Sequence, residues 1–193
     1  MSDIELKDFL GRRTLIVGDI NAGKTFRTGE ILAAFCGAGL GGRIVILDLA
    51  PEIPEKLAAE KGLRGAGGRL SPPPGRDVPV FEASPVPPRL SSRTEAEALE
   101  KAHRNRLAID ALFPRVSETS RDILFINDVS LYLQSGNAED LISFLHRFGT
   151  VIANGYWGNR LGGGSLTDRE KEQMKKLMAG FEIGGRVILL EPI

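Results

Sequence analysis

One cysteine, Cys36, and two histidines, His103 and His146, are all the thiol and imidazole chemistry that these 193 residues carry. A lone thiol excludes an intrachain disulfide. Neither histidine has a Cys, Asp or His partner at metal-ligand spacing, so a structural zinc site has no donor set, and no Ser/His/Asp arrangement can be assembled. Cys36 is expected to be a small buried hydrophobe. Net charge is missing as well, because 25 Lys+Arg balance 25 Asp+Glu. A balanced chain has no long-range attraction to nucleic acid or to an anionic membrane. The one short basic stretch, "KAHRNR" (101–106), sits beside acids, so nucleic-acid binding is not expected. No apolar run approaches the ~18 residues of a membrane span. Met1 is followed by the polar "SDIELKD" where an apolar signal segment would stand. The expectation is a cytoplasmic protein with no membrane partner.

Hydrophobic residues make up 42% of the chain, enough for one sizeable core. They are grouped in short unbroken runs: "RTLIVGD" (13–19), "RIVILD" (43–48), "DILFIND" (122–128), "TVIANG" (150–155) and "RVILLEPI" (186–193), with a shorter run at "VPVFE" (78–82). Runs of this kind read as strands covered on both faces. Helical patterns alternate with them. One follows residue 24 and ends at Gly37 and Gly39. A short one is expected in "LAPEIPEKLAAEKG". Another runs over 94–113, opening on the capping-box pair Thr94 and Glu97 and stopping at Pro114. The last two cover 137–149, with Asn137 as cap, and 167–181, opening on the pair Thr167 and Glu170. Alternation of this sort predicts an α/β fold, a three-layer α/β/α sandwich around a mostly parallel sheet. A single domain over 1–193 is expected, interrupted by an irregular Gly/Pro-rich excursion at about 62–93. Ligands of such sheets gather at the carboxyl ends of the strands. Gly18–Thr25, Asp48–Glu52, Glu82–Arg89, Asp128–Ser130 and Asn154–Arg160 should therefore face one crevice.

The stretch Gly18-Asp19-Ile20-Asn21-Ala22-Gly23-Lys24-Thr25 fits the spacing G-x-x-x-x-G-K-[ST], with a strand before it and a helix after it. Gly18 and Gly23 permit the backbone angles that turn successive N–H groups toward phosphate oxygens. The following helix adds the positive end of its dipole. Lys24 would neutralise β- and γ-phosphates and the Thr25 hydroxyl would ligate Mg²⁺. Phe26 comes directly after and completes the nucleotide-binding stretch. Asp128, at the end of "ILFIND", is the expected second metal group. A competing match, Gly37, Gly39 and Gly42 in "GAGLGG", follows a helix and precedes a strand, the reverse of what dinucleotide binding needs. It reads as a helix-ending loop.

On these residues the chain resembles the P-loop NTPases, with "GDINAGKT" as Walker A and "ILFIND" as Walker B. The resemblance implies ATP and Mg²⁺ as cofactors, held by Lys24, Thr25 and Asp128. The chain departs from many such ATPases in having Val129 and Ser130 after Asp128, where a water-polarising glutamate would stand. The guanine-reading motif [NT]-K-x-D is absent. "GRIVILDLAPE" also resembles the second strand of the branch holding the ParA/MinD ATPases and dethiobiotin synthetase, and the element order resembles that of the cobalamin adenosyltransferases. That likeness implies a catalytic role for Asp48, with Glu52 assisting. The implied function is Mg-ATP binding with transfer of a group to a small-molecule acceptor, or slow hydrolysis. A switch-like nucleotide-binding protein that engages a protein partner is the other reading. Arg89, Arg93 and Arg160 are candidate cations for a transferring phosphate, and "GYWGNRLGGGS" (155–165) is a candidate lid carrying Tyr156 and Trp157. A pocket lined by Asp48, Glu82 and Arg89 would favour transfer; an exposed apolar patch near Trp157 would favour the switch.

Overall fold

A computed structural model describes residues 4–53, 55–60 and 68–191 of the chain. Parts of several expected features lie outside the described residues. These are residues 2–3 of the polar amino-terminal stretch, residues 54 and 61–62 of the short helical stretch, 62–67 of the excursion, and 192–193 of the last strand.

The strands are β1 (Arg13–Gly18), β2 (Ile44–Asp48), β3 (Val80–Glu82), β4 (Ile123–Asn127), β5 (Thr150–Tyr156) and β6 (Gly185–Leu190). The helices are α1 (Lys24–Gly37), α2 (Glu55–Glu60), α3 (Pro88–Ser91), α4 (Glu95–Asp110), α5 (Leu112–Ser117), α6 (Ser130–Leu133), α7 (Ala138–Leu145) and α8 (Ser165–Glu182). The six strands form one sheet in the order β3-β2-β4-β5-β1-β6, and every pairing is parallel. The α/β sandwich expected from the alternating runs is present.

Burial along the strands follows their place in the sheet. All residues of β2, β4 and β5 are buried, whereas the edge strands β3 and β6 keep solvent contact. Alternate side chains of the central strands feed two cores. On one face Leu15, Val17, Val45, Leu47, Leu124 and Ile126 pack with Ile109, Leu141, Met174, Leu177 and Phe181 of α4, α7 and α8. On the other face Ile16, Ile44, Ile46, Phe125 and Ile152 pack with Ile31, Leu32, Phe35 and Cys36 of α1. Leu70 and Val78 of the Gly/Pro-rich excursion are buried in this second core. The excursion therefore covers part of the α1 face of the sheet, and it delivers β3 to the sheet edge.

Three helices differ from expectation. α7 ends at Leu145 rather than running to 149, and Asn137 occupies its cap position without a side-chain cap bond. The pattern over 94–113 splits at Ala111, which closes α4 and opens α5, and Pro114 lies in the first turn of α5. There its missing N–H removes no helical bond, so proline starts a turn of helix rather than stopping one. The Thr94 cap is as expected: its Oγ1 accepts from Glu97 N at 3.2 Å, and Glu97 Oε2 accepts from Arg93 N at 2.9 Å. The second capping box does not form. α8 begins at Ser165 behind Gly164, whose φ is 108°, and Ser165 N donates to Glu95 Oε1 at 3.0 Å. Glu170 is thereby released from capping and is buried in the wall of a cavity at the carboxyl edge of the sheet. The "GAGLGG" stretch ends α1, with Gly39 at φ 82°, as a helix-ending loop should.

Candidate functional site

Loop 18–25 joins β1 to α1 at the carboxyl edge of the sheet. Gly18 touches β6 closely: a Cβ there would lie 2.7 Å from the Leu190 carbonyl oxygen. Asn21 and Gly23 take positive φ, 61° and 80°, and Gly23 is the amino-terminal cap of α1 without any side-chain cap. The first bond into the helix is Arg27 N to Gly23 O, so the amides of Lys24, Thr25 and Phe26 have no partner within the helix. Ile20 and Ala22 are buried, so these two residues can meet a ligand chiefly through their backbone. Asp19 turns its carboxylate onto its own loop and toward residues 158–159, accepting from Ile20 N at 2.6 Å and Asn159 N at 3.4 Å. A Cβ at Gly158 would stand 2.4 Å from Asp19 Cγ, so a side chain there would require that carboxylate to move.

Lys24 Nζ donates to the Asp19 carbonyl oxygen at 2.7 Å. Burial lowers its pKa, opposed by the negative charges of Asp128 and Asp19. A desolvated ammonium beside unpaired helix amides is an electropositive concavity suited to an oxyanion. The Thr25 hydroxyl faces Asn127 Oδ1 at 3.2 Å. Phe26, on the first turn of α1, is 70% exposed.

Because β5 lies between β1 and β4, Asn154 stands between the loop and Asp128. Its Nδ2 donates to Thr28 Oγ1 at 2.9 Å and to Asn127 Oδ1 at 3.0 Å, and its Oδ1 accepts from Asp128 N at 3.0 Å. Asn127 Nδ2 in turn donates to Asp48 Oδ1 at 3.1 Å and Gly68 O at 2.8 Å. The two asparagines therefore tie the ends of three strands to the first turns of α1. Both are buried, where an unsatisfied amide would be costly, so the network fixes their rotamers.

Asp48 sits at the expected edge, but its oxygens are engaged. Oδ1 accepts from Ala50 N at 2.9 Å and from Asn127, Oδ2 accepts from Leu70 N at 2.7 Å, and Arg69 Nη1 lies 3.6 Å from Oδ1. The carboxylate anchors the returning segment 68–70, placing Gly68 so that a Cβ there would be 3.7 Å from Thr25 Cγ2. Asp48→Ala leaves two buried amides and Asn127 Nδ2 without this acceptor. It is expected to cost about 3–5 kcal/mol of unfolding free energy in urea titration. A loss under about 1 kcal/mol would show that the anchor is dispensable.

Asp128 has φ 62° and receives the Ser130 hydroxyl on Oδ1. Desolvation raises its pKa to about 6. The Ser130 hydrogen bond and the positive Lys24 and Arg89 oppose the rise, and Glu170 reinforces it. Asp128, Lys24 and Thr25 line one cavity of about 460 Å³. Its walls also include Ile20, Asn21, Gly23 and Phe26 of the loop, Ala50, Pro51 and Ile53 after β2, and Pro87–Leu90 around α3. Ser130, Leu131 and Gln134 lie beyond β4, Tyr156 and Leu161 at and beyond the end of β5, and Glu170 comes from α8. Each of the five loops expected at one crevice contributes to it.

Of the candidate arginines only Arg89 lines this cavity; Arg93 and Arg160 are exposed. Arg89 pairs with Glu170, and Gln134 Nε2 donates to Glu170 Oε2 at 2.8 Å. Lys24 Nζ and the Arg89 guanidinium each lie 6.0 Å from the centroid of the Tyr156 ring. Asp48, Glu52 and Glu82 do not line the cavity, and Glu82 is exposed, so of the pocket expected from Asp48, Glu82 and Arg89 only Arg89 is present; Asp48 is turned instead onto residues 50 and 70. Trp157 packs half-buried against the sheet core, its backbone N–H donating to Gly18 O at 2.9 Å. His103 and His146 are exposed, and no metal-holding group of three or more His, Cys, Asp or Glu occurs among the described residues. Among these residues no helix is long and apolar enough to cross a membrane.

Sequence reasoning missed Asn127, Asn154, Gln134, Glu170 and Arg69. The signal for the first two was present: an asparagine inside an otherwise apolar strand has to be paired when buried. Nothing local marks Glu170, which resembles an ordinary first-turn acid of an amphipathic helix.

No family model matches this chain, and no curated protein sequence matches it. Among solved structures it is similar to the flagellar accessory protein FlaH from Methanocaldococcus jannaschii. The identity is 14% and the TM-score 0.41, with 86% of this chain and 69% of that chain covered.

Proposed function

We propose that this chain is a P-loop protein that binds Mg-ATP and transfers a group from it to a small molecule held in the adjoining cavity. One observation carries the reading: the desolvated Lys24, the open amides of α1 and the Asp128 carboxylate converge on a single cavity of about 460 Å³. That volume falls within the range of small-molecule sites. Gly18 to Thr25 would wrap the phosphates through backbone N–H groups, and Lys24 would meet the β/γ oxygens. Thr25 and Asp128 would hold Mg²⁺. One hydroxyl and one carboxylate suit a hard cation that takes its remaining ligands from phosphate and water. When bound, the ion neutralises the phosphate oxygens and orients them.

Transfer is favoured over vigorous hydrolysis by the two residues after Asp128. Val129 is fully buried, and Ser130 spends its hydroxyl on Asp128, so no carboxylate stands there to polarise a water. The sheltered apolar walls around Leu90, Leu131 and Leu161 suit an acceptor that must compete with water. A nucleotide-responsive switch is the second reading. It is favoured by the contact of Asp19 with Gly158 and Asn159, which couples loop 18–25 to the glycine-rich stretch after β5.

A thermal-shift series with ATP, GTP, CTP and ADP, each with and without Mg²⁺, tests the proposal. Mg-ATP at a hundredfold excess over Kd is expected to add about 2.7 kcal/mol, a rise of several degrees in Tm. The absence of a shift with every nucleotide would overturn it.

A further inference from the structure

The cavity holds a second cation whose charge the nucleotide reading does not use. Arg89 enters from α3, and its side chain is only 10% exposed. Its Nη2 pairs with the Glu170 carboxylate, while Nε and Nη1, both buried, make no hydrogen bond to any described group. A guanidinium presents donors in a planar fork, and a buried donor without a protein partner is unusual. Beside it, Gln134 gives its amide N–H to Glu170 while its Oε1 is buried with no partner. Idle donors and an idle acceptor thus stand side by side on one wall of the cavity. Glu170 and Gln134 hold each other and pin the guanidinium. Lys24 lies near the same Tyr156 ring; each cation is 6.0 Å from the ring centroid, so the two lie within twice that distance.

We propose that Arg89 and Gln134 form the acceptor subsite of this cavity, taking a small molecule whose carboxylate or phosphate meets the Arg89 fork and whose adjacent hydroxyl or amino group donates to Gln134 Oε1. The planar fork matches an oxyanion through two parallel hydrogen bonds. Leu90, Leu131 and Leu161 offer apolar wall to a carbon skeleton beside it. An acceptor anchored in this way lies beside the end of loop 18–25 where the transferable phosphate would stand. This assignment rests on the transferase reading for its role, although the oxyanion subsite can be measured without it.

Calorimetric titration of the full chain provides the test. Saturating Mg²⁺ and a non-hydrolysable ATP analogue first occupy loop 18–25, so that an added anion cannot bind there. D-glycerate then probes for a carboxylate with a neighbouring hydroxyl, and glycerol 3-phosphate for a phosphate with one. Saturable binding of either probe is expected, weakened at least tenfold in Arg89→Gln, with nucleotide affinity unchanged within about twofold. Arg89→Gln leaves Glu170 buried without its cation. The double variant Arg89→Gln/Glu170→Gln removes both charges together and should fold and give the same loss. No binding of either probe, or equal binding by wild type and the folded double variant, overturns the subsite. So does a loss of nucleotide affinity on removing Arg89, because the arginine would then be serving the triphosphate. Failure of the underlying reading looks different. If the nucleotide analogue does not bind at all, anion binding that depends on Arg89 but not on Lys24 still supports the subsite.

Discussion

Lys24→Ala will fold as the wild type does and fail to bind nucleotide, losing at least a hundredfold in affinity. Folding is expected to survive because the ammonium makes its hydrogen bond to a carbonyl of its own loop and lies in a desolvated position that lowers its pKa. Alanine relieves that desolvation, and the loop conformation is carried by Gly23, Asn21 and the start of α1 rather than by the lysine side chain. Binding should collapse because a buried cation facing phosphate oxygen contributes a charge-assisted bond that water cannot replace, worth about 3 kcal/mol or more. Thermal shift and calorimetry read the two halves separately: an apo Tm within a few degrees of wild type, and no Mg-ATP-dependent rise. A variant that keeps the rise would place the nucleotide elsewhere.

Asp128→Asn is expected to make the apo protein more stable while removing its dependence on Mg²⁺. The folded state raises this carboxyl to about 6, chiefly by desolvation, from an ordinary value near 4. Between those two values the folded chain binds more protons than the unfolded chain, so the residue's contribution to stability falls as pH rises through that window. By pH 8 the ionised form costs about 2 kcal/mol, discounted for the solvent that reaches the cavity. Asparagine removes the charge, keeps the shape, and tolerates the left-handed φ of 62°. The variant should match wild type below about pH 4 and exceed it increasingly up to about pH 7. Urea denaturation at pH 4, 6 and 8 measures the gap, and thermal shift with ATP with and without Mg²⁺ measures the lost metal contribution. A variant less stable than wild type at pH 8 would contradict the desolvation argument. The expected trade is that of a group held in an unfavourable state because a ligand will need it.

Much of this molecule was legible along the chain. The five longer apolar runs and the short β3 became the strands of a parallel sheet; the central runs without polar alternation are covered on both faces, whereas β3 and β6 lie at the edges and keep solvent contact. The turn at 18–25 was largely legible, because its conformation depends on residues adjacent in sequence and a helix starts immediately after; Gly23 takes the expected left-handed angle, whereas the second such angle falls on Asn21 and Gly18 is required by its close contact with β6 instead. Periodicity read the helices less well at their ends. Thr167 and Glu170 have capping-box spacing, yet α8 starts two residues earlier, since a local preference of about 1 kcal/mol yields to the burial of Glu170 against Arg89.

What the sequence determined by itself was therefore the layered fold and the tight turn between β1 and α1, both products of short-range pattern. Tertiary structure alone decided that β5 separates β1 from β4, so that Asn154 mediates between the loop and Asp128. It also turned Asp48 inward to hold residues 68–70, and brought Arg89, Gln134 and Glu170 from three distant segments to one wall. The reason is physical. Strand order and the pairing of buried polar groups depend on which segments meet across long loops, and those encounters are selected by burial of the whole core rather than by any local preference.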